Sequence, residues 1–152
     1  MANIQKTAIV TGGSQGIGAG LVKAFLDRGY NVVANSRNIT KANPFPASAN
    51  LALVDGDIGD PKTATRIVDT AVSRFGRVDV LINNAGVFIP KPFTEYTTED
   101  FNALVSTTLA GFLYVSQLAV KQMLRRKAAS SSMFRLPLSG MRSWACRRRC
   151  KS

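Results

Sequence analysis

The 152-residue chain has no histidine and only two cysteines, Cys146 and Cys150, both close to its C-terminal end. Zinc sites draw on about four nitrogen or sulfur ligands, so two thiols without an imidazole read as incidental and no metal site is expected. No internal repeat is visible, and the length allows one sizeable core. No long apolar run stands out, which argues against a membrane span. Met1 to Lys6 lead straight into an apolar stretch and leave no room for a secretory leader, so a cytoplasmic location is expected. Tyrosine is scarce: Tyr30, Tyr96 and Tyr114 are the only three.

Acidic residues are absent from one region altogether. Residues 1–123 carry 11 Lys and Arg against 9 Asp and Glu, whereas residues 124–152 carry 9 Lys and Arg and no acid. The net charge of +11 therefore describes a nearly neutral body with a basic segment attached. Such a segment attracts polyanions nonspecifically and in a salt-dependent way, and implies no specific nucleic-acid site. Arg147-Arg148-Arg149 reads the same way, as a consequence of composition. We expect residues 1–123 to form the folded domain and residues 124–152 to be a disordered tail.

What the body does contain is a junction of strand, glycine turn and helix. Thr7-Ala8-Ile9-Val10 is a short apolar strand, followed by Thr11-Gly12-Gly13-Ser14-Gln15-Gly16-Ile17-Gly18 and then a helical pattern. Glycines let the backbone turn tightly and approach a ligand with no Cβ in the way. The first N–H groups of the helix lack intrahelical partners and stand at the positive end of its dipole. Together these make a pyrophosphate cradle, in the context that a dinucleotide fingerprint requires. Gly12, Gly16 and Gly18 are the candidate turn residues, with Ser14, Gln15 and Ile17 supplying backbone and side-chain contacts.

The rest of the body alternates strands and helices. Ile17, Leu21, Val22, Phe25 and Leu26 recur at helical spacing up to Gly29, and Tyr30–Ala34 reads as a second strand. Residues 38–50 read as a loop with a short helix, and Leu51–Val54 as a third strand. Asp60-Pro61 opens a helix with an N-cap and a first-turn proline, and Gly76 closes it. Val78–Ile82 is a fourth strand. Thr98-Glu99-Asp100 opens a long helix whose apolar positions are Phe101, Leu104, Val105, Phe112, Val115, Leu118, Ala119 and Met123. Continuous apolar strands between helices imply an α/β, doubly wound parallel sheet of the Rossmann type, with strand order 3-2-1-4 and the ligand at the strand C-termini. Val78–Ile82 would be left as an open edge, and the long helix short of partners.

The spacing Thr-Gly-x3-Gly-x-Gly, together with Asp79-Val80-Leu81-Ile82-Asn83-Asn84-Ala85-Gly86, resembles the short-chain dehydrogenase/reductase family across residues 4–123. The resemblance implies a nicotinamide cofactor, a small carbonyl or alcohol substrate, and self-association through the long helix. It places Asp57 and Ile58 against the adenine, although Asp57 reads equally as a turn residue. Asn83, Asn84, Ala85 and Gly86 are implied to brace the sheet and line the ribose pocket. The second strand ends Asn35-Ser36-Arg37, where an acid would bind a free ribose. A hydroxyl and a guanidinium suit a 2′-phosphate instead, so Ser36 and Arg37 point to NADP(H) over NAD(H).

The chemistry of that family needs a Tyr and a Lys four residues later, plus a Ser that orients the carbonyl. No Tyr-x3-Lys occurs here, because Tyr30, Tyr96 and Tyr114 precede Ala34, Asp100 and Leu118 at that spacing. Thr108 stands where the family has an Asn in the long helix, keeping a hydrogen-bonding group but losing the amide's donor–acceptor pair. Ser139 falls near the count for the serine but lacks a strand to aim it. Residues 128–137 have neither strand alternation nor family character, yet suitable codons read one base out of frame spell a strand like the expected one. We therefore expect a frame change between Lys127 and Ser130, and a chain that binds cofactor without catalysing. Other readings are a non-enzymatic NADP-binding or regulatory fragment, an interaction protein using its basic tail, or an enzyme with relocated catalytic groups.

Overall fold

The computed structural model describes residues 5–125. The basic segment from Arg126 onward, with Ser139, Cys146, Cys150, Arg147 to Arg149 and the frame change expected between Lys127 and Ser130, lies outside the described residues.

Four parallel strands, β1 (Thr7–Thr11), β2 (Asn31–Ser36), β3 (Leu51–Asp55) and β4 (Val80–Ile82), lie in the order β3-β2-β1-β4. This is the order expected from the sequence. Ile9 pairs with Val33 on one side and Leu81 on the other, and Val33 pairs with Ala52. Successive side chains point to opposite faces of a strand. On one face Ile9, Val33, Ala52 and Val54 meet Ala64, Ile67, Val68 and Ala71 of α3 (Pro61–Phe75) and Val115 and Ala119 of α5 (Gly111–Arg125). On the other, Val10, Val32, Ala34 and Leu51 meet Val22 of α1 (Gly16–Asp27) and Ile39 of α2 (Ile39–Ala42). Burial of each Val, Leu or Ile side chain among these contributes about 1.5–3 kcal/mol, and of each Ala less.

The helix boundaries follow local chemistry. Asp60 caps α3 by accepting from the Lys62 N–H at 2.9 Å, and Gly76 ends it in the left-handed region (φ 72°). The helix α4 (Thr98–Leu104) begins at Thr98, as expected, and Thr97 caps it in a reciprocal pair with Asp100. The long helix differs from expectation in its middle: Val105–Ala110 winds as a π-helix between α4 and α5. The β3–α3 turn presses on the helix there. A Cβ on Gly59 would lie 2.2 Å from the Ser106 Oγ, and one on Gly111 would lie 2.8 Å from Ile58. Of the apolar positions read from the sequence, Val115 and Ala119 are buried, while Phe101, before the π segment, is 62% exposed.

Two further expectations are corrected. Ile17 is 78% exposed and faces away from the core. Residues 101–120 contain no charged side chain, and the helical run Thr98–Arg125 is long and apolar enough to cross a bilayer by length and composition, with a mean hydropathy of 1.5 over an 18-residue window. Interspersed serines and threonines mask this run in the sequence. In the fold the run packs against α3 through Val115 and Ala119.

Candidate functional site

All the strands are parallel, so their C-terminal ends share one edge of the sheet, and a cleft of about 570 Å³ opens there. Gly12, Ser14, Gln15, Gly16, Ile17 and Gly18 line it from the first turn, Ser36 and Arg37 from the end of β2, Asp57 and Ile58 from beyond β3, and Asn84, Ala85 and Gly86 from beyond β4. The fold thus gathers four separated motifs around one space. Asn83 is the exception among the cofactor candidates. Its amide donates to the Ser116 Oγ at 3.1 Å, bracing β4 against α5, and it lines a neighbouring cavity instead.

The glycine turn is built by close approach. Gly12 has φ +66°, and a Cβ on Gly18 would lie 2.0 Å from the Gly12 carbonyl oxygen and 2.6 Å from the Asn84 amide nitrogen. Asn84 donates through that amide to the carbonyls of Thr11 and Gly12, each at 3.2 Å. The Thr11 hydroxyl in turn accepts from the backbone N–H groups of Asn84 and Ala85, each at 3.1 Å. Gly13 donates to the Asn35 carbonyl at 2.9 Å, tying the turn to β2. At Gly16 a Cβ would meet nothing within 4 Å. The N-cap of α1, Gln15, makes no side-chain cap hydrogen bond, and the first turn holds no acid. Both α3 and α4 have capped N-termini, whereas α1 presents its N-terminus to the cleft, as a phosphate cradle would.

Ile58 is buried against Gly111, while Asp57 accepts from the Gly59 N–H at 2.8 Å and also borders the cleft. Asp57 is therefore a turn residue and a wall residue at once. Arg37 forms no ion pair with any described carboxylate. Asn35, Asn38, Ala42, Gly56, Val87 and Thr107 also line the cleft and belong to none of the motifs. Asn35 alone carried a signal: it is a buried amide in an otherwise apolar strand, and it donates to the carbonyls of Val54 at 2.9 Å and Gly56 at 3.2 Å. At the end of β3 the Thr40 hydroxyl and N–H bind the Asp55 carboxylate and hold its pKa below the ordinary carboxylate range.

Thr108 lines the second cavity, about 390 Å³, together with Thr11, Asn83, Leu104 and Phe112. The two spaces share Ile58, Ala85 and Thr107. No tyrosine borders either one. Tyr96 donates to the Ile89 carbonyl at 2.6 Å, Tyr30 packs edge-on against Phe25, and Tyr114 packs against the core.

The model of the family described as short chain dehydrogenase matches residues 6–131. The chain belongs to the short-chain dehydrogenase family. The NADP-dependent (R)-specific alcohol dehydrogenase of Lentilactobacillus kefiri is 31% identical over 130 residues, covering 83% of this chain and 52% of that protein. The diacetyl reductase [(S)-acetoin forming] of Staphylococcus epidermidis is 28% identical over 146 residues, covering 93% and 57%. Among solved structures, a short chain dehydrogenase from Bacillus anthracis superposes with TM-score 0.73 at 27% identity, over 80% of this chain and 52% of that one. An NADPH-bound variant of ElxO superposes with TM-score 0.73 at 32% identity, over the same shares. This short-chain dehydrogenase chain spans about half the length of the curated relatives it matches.

Proposed function

We propose that this chain is the NADP(H)-binding portion of a short-chain oxidoreductase whose intact relatives move a hydride between the nicotinamide and a small carbonyl or alcohol. The observation that carries the reading is the meeting, in one cleft, of an α1 N-terminus without a side-chain cap and an Arg37 that no described carboxylate pairs. Gly12 to Gly18 would hold the pyrophosphate, and Ser36 and Arg37 would hold a 2′-phosphate on the adenosine ribose. Ile58 offers an aliphatic surface to the adenine, and Asn84 to Gly86 border the ribose at the other end. The cofactor, when bound, supplies the hydride; this chain's residues bind and orient it. The name of the Lentilactobacillus relative and the NADPH in the ElxO structure agree with the preference.

Proton delivery has no corresponding group, because the chain has no Tyr-x3-Lys and Thr108 stands at the helix asparagine position. The proposal is therefore binding without turnover. Titration of the full chain with NADPH and NADH, followed by nicotinamide fluorescence, tests it: saturable binding tighter for NADPH is expected. Failure to saturate, or tighter binding of NADH, would refute the cofactor reading. Ketone-dependent oxidation of NADPH by the purified chain would refute the inactivity.

A further inference from the structure

The segment that joins the end of β2 to α2 carries Ser36, Arg37 and Asn38 into the cleft; sheet pairing at Ser36 and the buried Ile39 anchor its two ends, and little of its own polar chemistry holds what lies between. At four residues α2 is far below the length at which a helix is stable alone. Asn38 stands at its N-cap and makes no side-chain cap hydrogen bond. A residue from a different strand supplies what is missing. Asp55, the last residue of β3, accepts from the Thr40 N–H at 2.9 Å through one carboxylate oxygen and from the Thr40 hydroxyl through the other. The backbone at Asp55 is itself held. Its carbonyl accepts from the Arg66 guanidinium at 2.6 Å, and Asn35 holds the carbonyls of Val54 and Gly56 that flank it.

We propose that Asp55 and Thr40 are positioning residues for nucleotide selectivity, holding the segment that bears Ser36 and Arg37 where it meets a phosphate on the adenosine ribose. The inference rests on the NADP(H) reading above and extends it to residues outside the binding motifs; neither Asp55 nor Thr40 borders the cleft. Two donors from Thr40 bind both carboxylate oxygens on the α2 side. Exposure of the pair matters less than its geometry, because what it fixes is a short loop whose alternative conformations would move Arg37.

The test uses the full chain and two ligands that differ only in one group, 2′,5′-ADP and 5′-AMP, with binding followed by calorimetry. The wild type is expected to prefer 2′,5′-ADP. Thr40→Val removes the hydroxyl at constant size, and Asp55→Asn removes the charge; each is expected to cut that preference by about 3–10-fold, as loss of one or two hydrogen bonds implies. Affinity for 5′-AMP is expected to stay within about twofold. Thr40→Ser keeps the hydroxyl and is expected to restore the preference, which keeps the proposal testable if Thr40→Val fails to fold. Retention of the full preference in Asp55→Asn, or its loss in Thr40→Ser, overturns the inference while leaving the cofactor reading intact. Absence of preference in the wild type refutes the cofactor reading itself, and is visible before any variant is made.

Discussion

Thr11 and Asn84, 73 residues apart in the chain, are joined by two hydrogen bonds, both donated by Asn84: its N–H to the Thr11 hydroxyl at 3.1 Å, and its side-chain amide to the Thr11 carbonyl at 3.2 Å. The same amide reaches Gly12. The second motif of the sequence thus acts on the first, with the side chain of one residue fixing the carbonyls that shape the glycine turn. Asn84→Ala leaves those carbonyls without their donor and is expected to cost about 1–3 kcal/mol of stability. NADPH binding is expected to weaken alongside. Urea denaturation and a cofactor titration of the same preparation check both.

The two inner glycines answer to different constraints. A Cβ on Gly18 collides with the Gly12 carbonyl at 2.0 Å, whereas one on Gly16 meets nothing within 4 Å and is opposed only by φ +55°. Gly18→Ala is expected to cost about 1–3 kcal/mol through overpacking. Gly16→Ala is expected to cost about 1–2 kcal/mol from its left-handed backbone, with no contact disturbed. Denaturation midpoints that reversed this order would contradict the geometry.

Much of this architecture was legible in the sequence because it is set locally. Apolar runs fix strand faces, Asp60-Pro61 and Gly76 bracket α3, and the glycine spacing marks the first turn. What escaped was set by contacts across the chain. The π segment at Val105–Ala110 follows the press of Gly59 and Ile58 on the helix, which no helical periodicity encodes. Asn83 and Asn84 are adjacent and identical in type, yet just beyond the end of β4 one side chain turns toward Ser116 and the other toward the glycine turn. Thr107 enters the cleft only because the helix packs beside it.

Arg37 is the one candidate cation at the end of β2, and no described carboxylate pairs with it. Charge-assisted hydrogen bonds contribute about 1.5–3 kcal/mol each, so Arg37→Ala is expected to weaken NADPH binding by about 10–100-fold. NADH binding is expected to change little. Since the contact is electrostatic and solvent-facing, raising the salt concentration is expected to narrow the NADPH advantage of the wild type. Equal losses for the two cofactors in Arg37→Ala would show that the arginine supports the fold instead.

Arg77 and Asp79 lock the start of β4. The guanidinium Nε donates to the carboxylate at 2.6 Å with a second bond beside it, and the same carboxylate accepts from the Thr7 N–H at 2.8 Å. The bidentate contact raises the Arg77 pKa, chiefly through that hydrogen bond. Among the described residues β4 pairs only with β1, so this anchor matters more here than inside a wider sheet. Asp79→Ala strands the Thr7 N–H and the guanidinium together and is expected to cost about 1–3 kcal/mol. Hydrogen exchange at Leu81 and Ile82 should accelerate in step, and exchange that stayed at the wild-type rate would rule out the anchor.

Acid stability provides a check on the surface contacts. The Lys91 ammonium beside Asp100, and the Thr40 hydroxyl beside Asp55, hold both carboxyls below their ordinary range. A carboxyl whose pKa falls on folding adds stability that is complete above its unfolded pKa and is lost as pH falls through its folded pKa. Replacing the partner, as in Lys91→Met or Thr40→Val, returns that pKa toward the unfolded value. The Tm difference between wild type and either variant is therefore expected to be full above about pH 5 and to close as pH falls below about 3. Both groups face solvent, so the differences are small and, for the Lys91–Asp100 pair, shrink further in high salt. A gap that widened on acidification would mean that the partners stabilise the protonated carboxyls, contrary to the geometry of their donors.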